Sequence, residues 1–207
     1  MRTAILISGR GSNMVALLAA MAAPGYPARP VLVVSNRADA AGLGLAGGVP
    51  TAIIPSRGRR REDFEAELDQ VLAAHDVELV ALAGFMRVLT EGFVAAWQGR
   101  MINIHPSLLP SFPGLDTHAR ALAAGVRLHG CTVHWVSPGV DEGPIIAQAA
   151  VPVLPGDDEA ALAARVLARE HNLYPAALAM IAGGRPILPI ADTALACAWP
   201  PGDAGRG

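Results

Sequence analysis

The sequence predicts an α/β chain: a mostly parallel, Rossmann-like sheet with helices on both faces and an antiparallel part toward the C-terminus. Three observations point to it. Short apolar β-type runs alternate with stretches of helical spacing through the first half, the alternation expected of a parallel sheet covered on both sides. A glycine loop, Ser8-Gly9-Arg10-Gly11-Ser12-Asn13, joins the first such pair. Beyond about residue 125 the pattern changes to two strand-like runs joined by a Pro/Gly-rich turn.

Element by element, Thr3–Ser8 is a short buried strand. Ser12–Ala22 carries Met14, Leu17, Leu18 and Met21 on one helical face. Val31–Ser35 is a second strand, Asp39–Ala46 a short helix ended by Gly47-Gly48, and Thr51–Ile54 a third strand. Glu62–Ala74 repeats Phe64, Leu68, Val71 and Leu72 at helical spacing. Leu79–Ala83, Glu91–Trp97 and Met101–His105 follow as strand, helix and strand, and Thr117–Ala124 as a helix. Gly130–Val136 and Ile145–Val153 are strands, joined by a turn from Ser137 to Pro144. Asp157-Asp158-Glu159 opens a long helix with acids at its positive end, which Pro175 is expected to kink or break. A single domain is expected over 1–188, with 189–207 a tail whose last eight residues are disordered.

Composition removes several classes of chemistry. All 16 basic residues are arginine, which excludes a Walker-type phosphate lysine, a Schiff-base lysine and a pyridoxal-phosphate site. A net charge of -2 does not favour nucleic acid. No apolar run reaches the roughly 18 residues of a membrane span, and the short apolar start runs into a glycine loop, not a cleavage site; a cytoplasmic enzyme is expected. Cys131 and Cys197 form no metal or redox spacing. Nor do His118, His129 and His134 make a metal pattern; His118 and His129 are read as core or surface histidines. No metal is expected.

The chemistry concentrates in Asn103-Ile104-His105-Pro106-Ser107-Leu108-Leu109-Pro110. Residues two apart on a strand share a side, so Asn103 and His105 face one pocket at a strand end. An amide donor beside a titratable base suits acyl transfer: one group holds a developing oxyanion, the other moves a proton. Asp141, in its Gly/Pro turn, becomes useful if it lies near His105, where it would raise the imidazole pKa and position water. The glycine loop before the first helix suits a phosphate. A dinucleotide is disfavoured, because Met14 stands at the third glycine position and Ser35-Asn36-Arg37 supplies no acid after strand two.

Five blocks occur together and in order: the glycine loop, Leu82-Ala83-Gly84-Phe85-Met86-Arg87, Asn103–Pro110 with Phe112-Pro113-Gly114, His129-Gly130-Cys131-Thr132-Val133-His134, and Asp141-Glu142-Gly143-Pro144-Ile145-Ile146. From Arg2 to about Gly184 the chain resembles the phosphoribosylglycinamide formyltransferase family, folate-dependent enzymes of purine synthesis with the formyltransferase fold. The resemblance implies 10-formyltetrahydrofolate as co-substrate, glycinamide ribonucleotide as acceptor, and a monomer or homodimer. It assigns Asn103 to the formyl oxygen, His105 to oxyanion stabilisation or proton movement, and Asp141 to the His105 pKa and a proton-relaying water. Gly11, Ser12 and Asn13 would hold the 5′-phosphate, and Glu170 the glycinamide or ribose end. Met86, Arg87, Val88 and Leu89 would read the pterin. Leu82, Val94, Met101 and Val136 would line its slot, the loop Val140, Asp141, Glu142 and Gly143 would close over it, and Arg61 would meet the glutamate tail.

Some positions depart from that pattern. Arg10 stands where smaller or neutral residues are common, and Leu167 where a lysine or glutamine often helps hold phosphate; Arg10 is expected to supply the lost contact. Glu142 replaces a common glycine and would restrict loop closure, and Asp116 has no assigned role. Formyltetrahydrofolate deformylase shares the fold but carries an amino-terminal regulatory domain, not expected here with the first strand at Arg2. Methionyl-tRNA formyltransferase adds a tRNA-binding domain and usually has Arg-Gly where this chain has Pro113-Gly114. A non-catalytic nucleotide-binding module would have no use for Asn103, His105 and Asp141 together.

Overall fold

The computed structural model describes residues 1–184; the expected tail at 189–207 and Cys197 lie outside the described residues. Seven strands form one sheet: β1 Arg2–Ile7, β2 Arg29–Ser35, β3 Thr51–Ile53, β4 Leu79–Leu82, β5 Met101–His105, β6 Leu128–Trp135 and β7 Ile145–Pro152. Their order is β3-β2-β1-β4-β5-β6-β7. The first five are parallel. β6 and β7 run antiparallel to their neighbours, as the change of pattern in the second half predicts.

The apolar runs are continuous because both faces are covered. On β1, Ile5 and Ile7 belong to one core cluster and Ala4 and Leu6 to the other. The first cluster packs under α1 (Ser12–Met21) and α5 (Glu159–Ala182) through Met14, Leu17, Leu162, Val166 and Tyr174. The second packs under α2 (Arg61–Ala74) and α3 (Glu91–Ala96) through Phe64, Leu68, Phe93 and Val94. The short α4 (Thr117–Ala123) contributes Ala121 to the first.

Two expectations are corrected. The helix read at Asp39–Ala46 is a 3-10 turn, Ala41–Leu45. Gly42 and Gly44 weaken an α-helix there, and the Gly42 N–H donates outside the turn, to the Gly9 carbonyl at 3.0 Å. Pro175 does not break α5, which runs through it to Ala182. Burial of the flanking Tyr174, Ala177 and Leu178 outweighs the one backbone bond a proline removes. The α5 N-terminus is as expected: the Ala161 N–H donates to Oδ1 of the capping Asp158 at 2.7 Å. The Tyr174 hydroxyl, fully buried, reaches the carbonyls of Leu82 on β4 and Ile102 on β5 at 3.0 and 3.2 Å. Its one O–H is shared between two backbone acceptors, one at the end of β4 and one within β5.

Candidate active site

Two cavities open at the carboxyl ends of the parallel strands, where open α/β sheets place ligands. The first, of about 1320 Å³, contains the whole glycine loop from Ser8 to Asn13 together with Leu167 and Glu170 of α5. The second, of about 840 Å³, contains Asn103, His105, His134 and Asp141. Gly84, Met86, Ile104, Pro106 and His118 belong to both walls, so the two form one continuous trough.

The first cavity is shaped by close backbone approach. Gly11 has φ 74, and a Cβ there would lie 2.9 Å from the Gly42 Cα; only glycine fits both the conformation and the space. The loop thereby enters α1 along the cavity wall, and the first N–H groups of a helix, which have no intrahelical partner, suit an anion. Deeper in, Asn13 Nδ2 donates to Glu170 Oε2 at 2.6 Å. Burial holds the Glu170 carboxyl above the usual range, with the Asn13 bond working against it. Asn13 Oδ1 is buried without a partner.

In the second cavity Asn103 and His105 share one side of β5, as strand periodicity requires. The antiparallel register sets Asn103 opposite His134 and His105 opposite Thr132. Asn103 Nδ2 lies 3.2 Å from His134 Nε2, while His134 Nδ1 lies 3.0 Å from the Trp135 carbonyl. The His134 ring thereby sits between the Asn103 amide and its own strand's backbone and holds that amide in place. The Thr132 hydroxyl donates to the Ser107 carbonyl at 2.7 Å and accepts from the Leu109 N–H at 3.1 Å, fixing the proline-bracketed segment that follows His105.

Asp141 arrives from the turn between β6 and β7. Its Oδ2 is 3.2 Å from His105 Nδ1 and its Oδ1 is 3.6 Å from His134 Nε2. The Gly114 N–H donates to Oδ2 at 2.9 Å. His105 Nε2 meets the Phe112 carbonyl at 3.1 Å, so both ring nitrogens face acceptors. A neutral ring can donate to one of them only; the imidazolium satisfies both.

Burial sets the His105 imidazole below its ordinary value; the Phe112 carbonyl and then Asp141 pull it upward, Asp141 in the expected direction, without overcoming burial. For Asp141, burial acts upward, yet the His134 ring, the Gly114 N–H and His105 together hold the carboxyl below its usual range. The resting arrangement is a carboxylate beside a histidine reluctant to hold a proton.

The formyl transferase family model matches residues 1–178. This chain belongs to the formyl transferase family. It is 44% identical over 188 residues to the phosphoribosylglycinamide formyltransferase of Escherichia coli K12, covering 89% of each chain. The solved phosphoribosylglycinamide formyltransferase from Brucella melitensis superposes with a TM-score of 0.84 at 51% identity, over 89% of this chain and 97% of that one. The Drosophila pseudoobscura trifunctional purine biosynthetic protein adenosine-3 is 51% identical over 188 residues, 88% of this chain; the chain spans only 14% of that relative's length.

In this formyl transferase the residues singled out by sequence fall into two groups. Arg10, Gly11, Ser12, Asn13 and Glu170 all stand on the first cavity. Arg61, Leu82, Met86, Arg87, Val88, Leu89, Val94, Val136 and Val140 stand on the second with the three proposed catalytic residues. Three residues expected at the folate site stand off that wall. Met101 is on the same side of β5 as Asn103 but two residues back in the core, 1% exposed, and off the cavity wall. Glu142 and Gly143 are also off it; Gly143 is buried against the Trp135 carbonyl.

His134 is the site residue that sequence reading passed over. Its signal was its place on the same strand side as Thr132, which acquires meaning only once β6 is known to pair antiparallel with β5. Among the described residues no group of three or more His, Cys, Asp or Glu is arranged to hold a metal ion, and no helix is long and apolar enough to cross a membrane.

Proposed function

We propose that this enzyme transfers the formyl group of 10-formyltetrahydrofolate to the amine of glycinamide ribonucleotide, giving the N-formyl product in purine biosynthesis. The observation that carries the reading is the convergence of Asn103, His105 and Asp141 in the second cavity, next to the Ile104 and Pro106 wall it shares with the glycine-loop cavity. The ribonucleotide phosphate lies against Gly11, Ser12 and Asn13, its glycinamide or ribose end toward Glu170. The pterin lies along Met86–Leu89 between Leu82, Val94 and Val136, and its glutamate tail points to Arg61.

The acceptor amine attacks the formyl carbon directly, so a new C–N bond forms before the bond to folate N10 breaks. Asn103 donates to the formyl oxygen as negative charge develops there, and His105 adds stabilisation on the same side. The amine must lose a proton and N10 must gain one. Asp141, a carboxylate with its two oxygens turned toward His105 and His134, organises a water that relays it. Because the amine is the nucleophile, no acyl-enzyme forms. The protein works as a monomer or homodimer in the cytoplasm, with small molecules as its partners.

The test is formyl transfer from 10-formyltetrahydrofolate with and without glycinamide ribonucleotide. Amine-dependent turnover, lost in Asp141→Asn and His105→Ala, supports the reading. Folate product formed with release of formate and without the amine would replace it with hydrolysis.

A further inference from the structure

A buried polar chain joins the two cavities at a point where no catalytic residue lies. Ser8, at the end of β1, donates its hydroxyl to Asn36 Oδ1 at 2.6 Å and accepts the Met86 N–H at 2.8 Å. Asn36 Nδ2 in turn donates to the Ser56 hydroxyl at 3.0 Å, and the Ser56 carbonyl accepts from Arg87 Nη1 at 2.8 Å. Ser8, Asn36 and Ser56 are all buried. The backbone repeats the linkage: the Ser8 N–H meets the Gly84 carbonyl at 3.2 Å and the Ser56 N–H the Asn36 carbonyl at 3.2 Å.

Met86 is therefore held on one side by a residue that begins the glycine loop, and Arg87 on the other by the same network. All of Ser8, Asn36, Ser56 and Met86 belong to the first cavity's wall, while Met86 and Arg87 belong to the second's. A buried side-chain network with two discrete attachment points transmits position better than an apolar contact, since a hydroxyl that loses one partner remains buried and unsatisfied.

We propose that Ser8, fixed by Asn36 and Ser56, is a positioning residue that registers the 86–89 segment against the glycine loop, so that filling one cavity tightens binding in the other. This rests on the two-substrate reading above. Ser8 itself need not touch the folate; it acts through the Met86 N–H.

Tetrahydrofolate and glycinamide ribonucleotide, neither carrying a formyl group, give a ternary complex that cannot react. Calorimetric titration yields the Kd of tetrahydrofolate alone and at saturating ribonucleotide, and their ratio measures the coupling. The expected result is a ratio above one in the wild type that falls toward one in Ser8→Ala, with tetrahydrofolate alone bound about tenfold more weakly, the equivalent of one buried hydrogen bond. Hydrogen exchange of the Met86 amide should accelerate selectively; a general loss of stability would speed core amides on β1 and β4 as well. Ser56→Ala, which removes the outer link only, should give a smaller fall in the ratio and keeps the test open if Ser8→Ala fails to fold. A ratio unchanged by both variants, or equal to one in the wild type, overturns the proposal alone. A wild type that binds neither ligand overturns the two-substrate reading and this proposal with it.

Discussion

The Oδ2 of Asp141 lies 3.2 Å from the Nδ1 of His105, although His105 ends β5 and Asp141 lies in the turn between β6 and β7. Asp141 adopts φ 57, a left-handed conformation that asparagine tolerates about as well as aspartate. Asp141→Asn therefore keeps the turn and the side-chain volume while removing the charge. The expected outcome is a fall in kcat of about 10² to 10⁴, the range of a lost proton-transfer group, with little change in either KM. Steady-state kinetics against both substrates check it; an equal loss appearing wholly in KM would assign Asp141 to binding instead.

Asn103 and His134 should behave unequally. Asn103→Ala removes the donor proposed for the formyl oxygen and is expected to cost about 10² to 10³ in kcat, the effect of one oxyanion donor. His134→Ala leaves the amide in place but unoriented, so its loss should be smaller. Single-turnover rates at saturating substrates read the difference, and the double variant should be no slower than Asn103→Ala by more than a few-fold if the two act as a unit.

Arg10 lines the first cavity with its side chain exposed and, among the described residues, in no ion pair or side-chain hydrogen bond, while the neighbouring Arg37 is paired with Asp39 at 2.7 Å. Arg10→Ala should raise the KM for glycinamide ribonucleotide about tenfold with kcat little changed, because a contact made equally in ground and transition states affects binding only. Adding Leu167→Gln to that variant, which returns a polar group to the same cavity, should recover part of the loss.

The sheet and both cavities were legible in the sequence because local signals and tertiary demand agreed. Met14, Leu17, Phe64 and Leu68 keep helical spacing, and each is fully buried. The same spacing argument put Asn103 and His105 on one side of β5. Met101 came to the pterin slot by the family resemblance alone, and neither resemblance nor strand alternation says how deep in the core a position lies. His134 was hidden for a related reason: its role depends on which strand lies beside β6, a fact of pairing, not of pattern. Pro175 does not end α5 because propensity speaks for one residue and burial for a whole helix.

Acid should destabilise this fold partly through His129. It is 1% exposed, with Nε2 3.2 Å from His118 Nδ1, and its pKa is pushed down to about 4 by burial first and the His118 neighbour second. In the unfolded chain the ring takes its proton near 6.5. Below that pH the unfolded state binds more protons, so this contribution is intact above about 6.5 and is lost progressively as the pH falls toward about 4. Urea denaturation from pH 7.5 to 4.5 should show stability falling with acid, and less steeply in His129→Gln. Parallel curves for the two proteins would remove His129 from the account.

Glu170 and Tyr174 are one turn apart on α5. Glu170 grips Asn13 at the start of α1; Tyr174 grips Leu82 at the end of β4 and Ile102 within β5. At about 1.5 Å of rise per residue, those four positions act as a fixed gauge, about 6 Å long, between the glycine-loop cavity and the strand that bears Asn103. A single residue inserted between them would turn one grip about 100° away from the other. Length variation in this enzyme should accordingly be permissible in its surface turns and forbidden in this one helical turn, however conservative the inserted side chain.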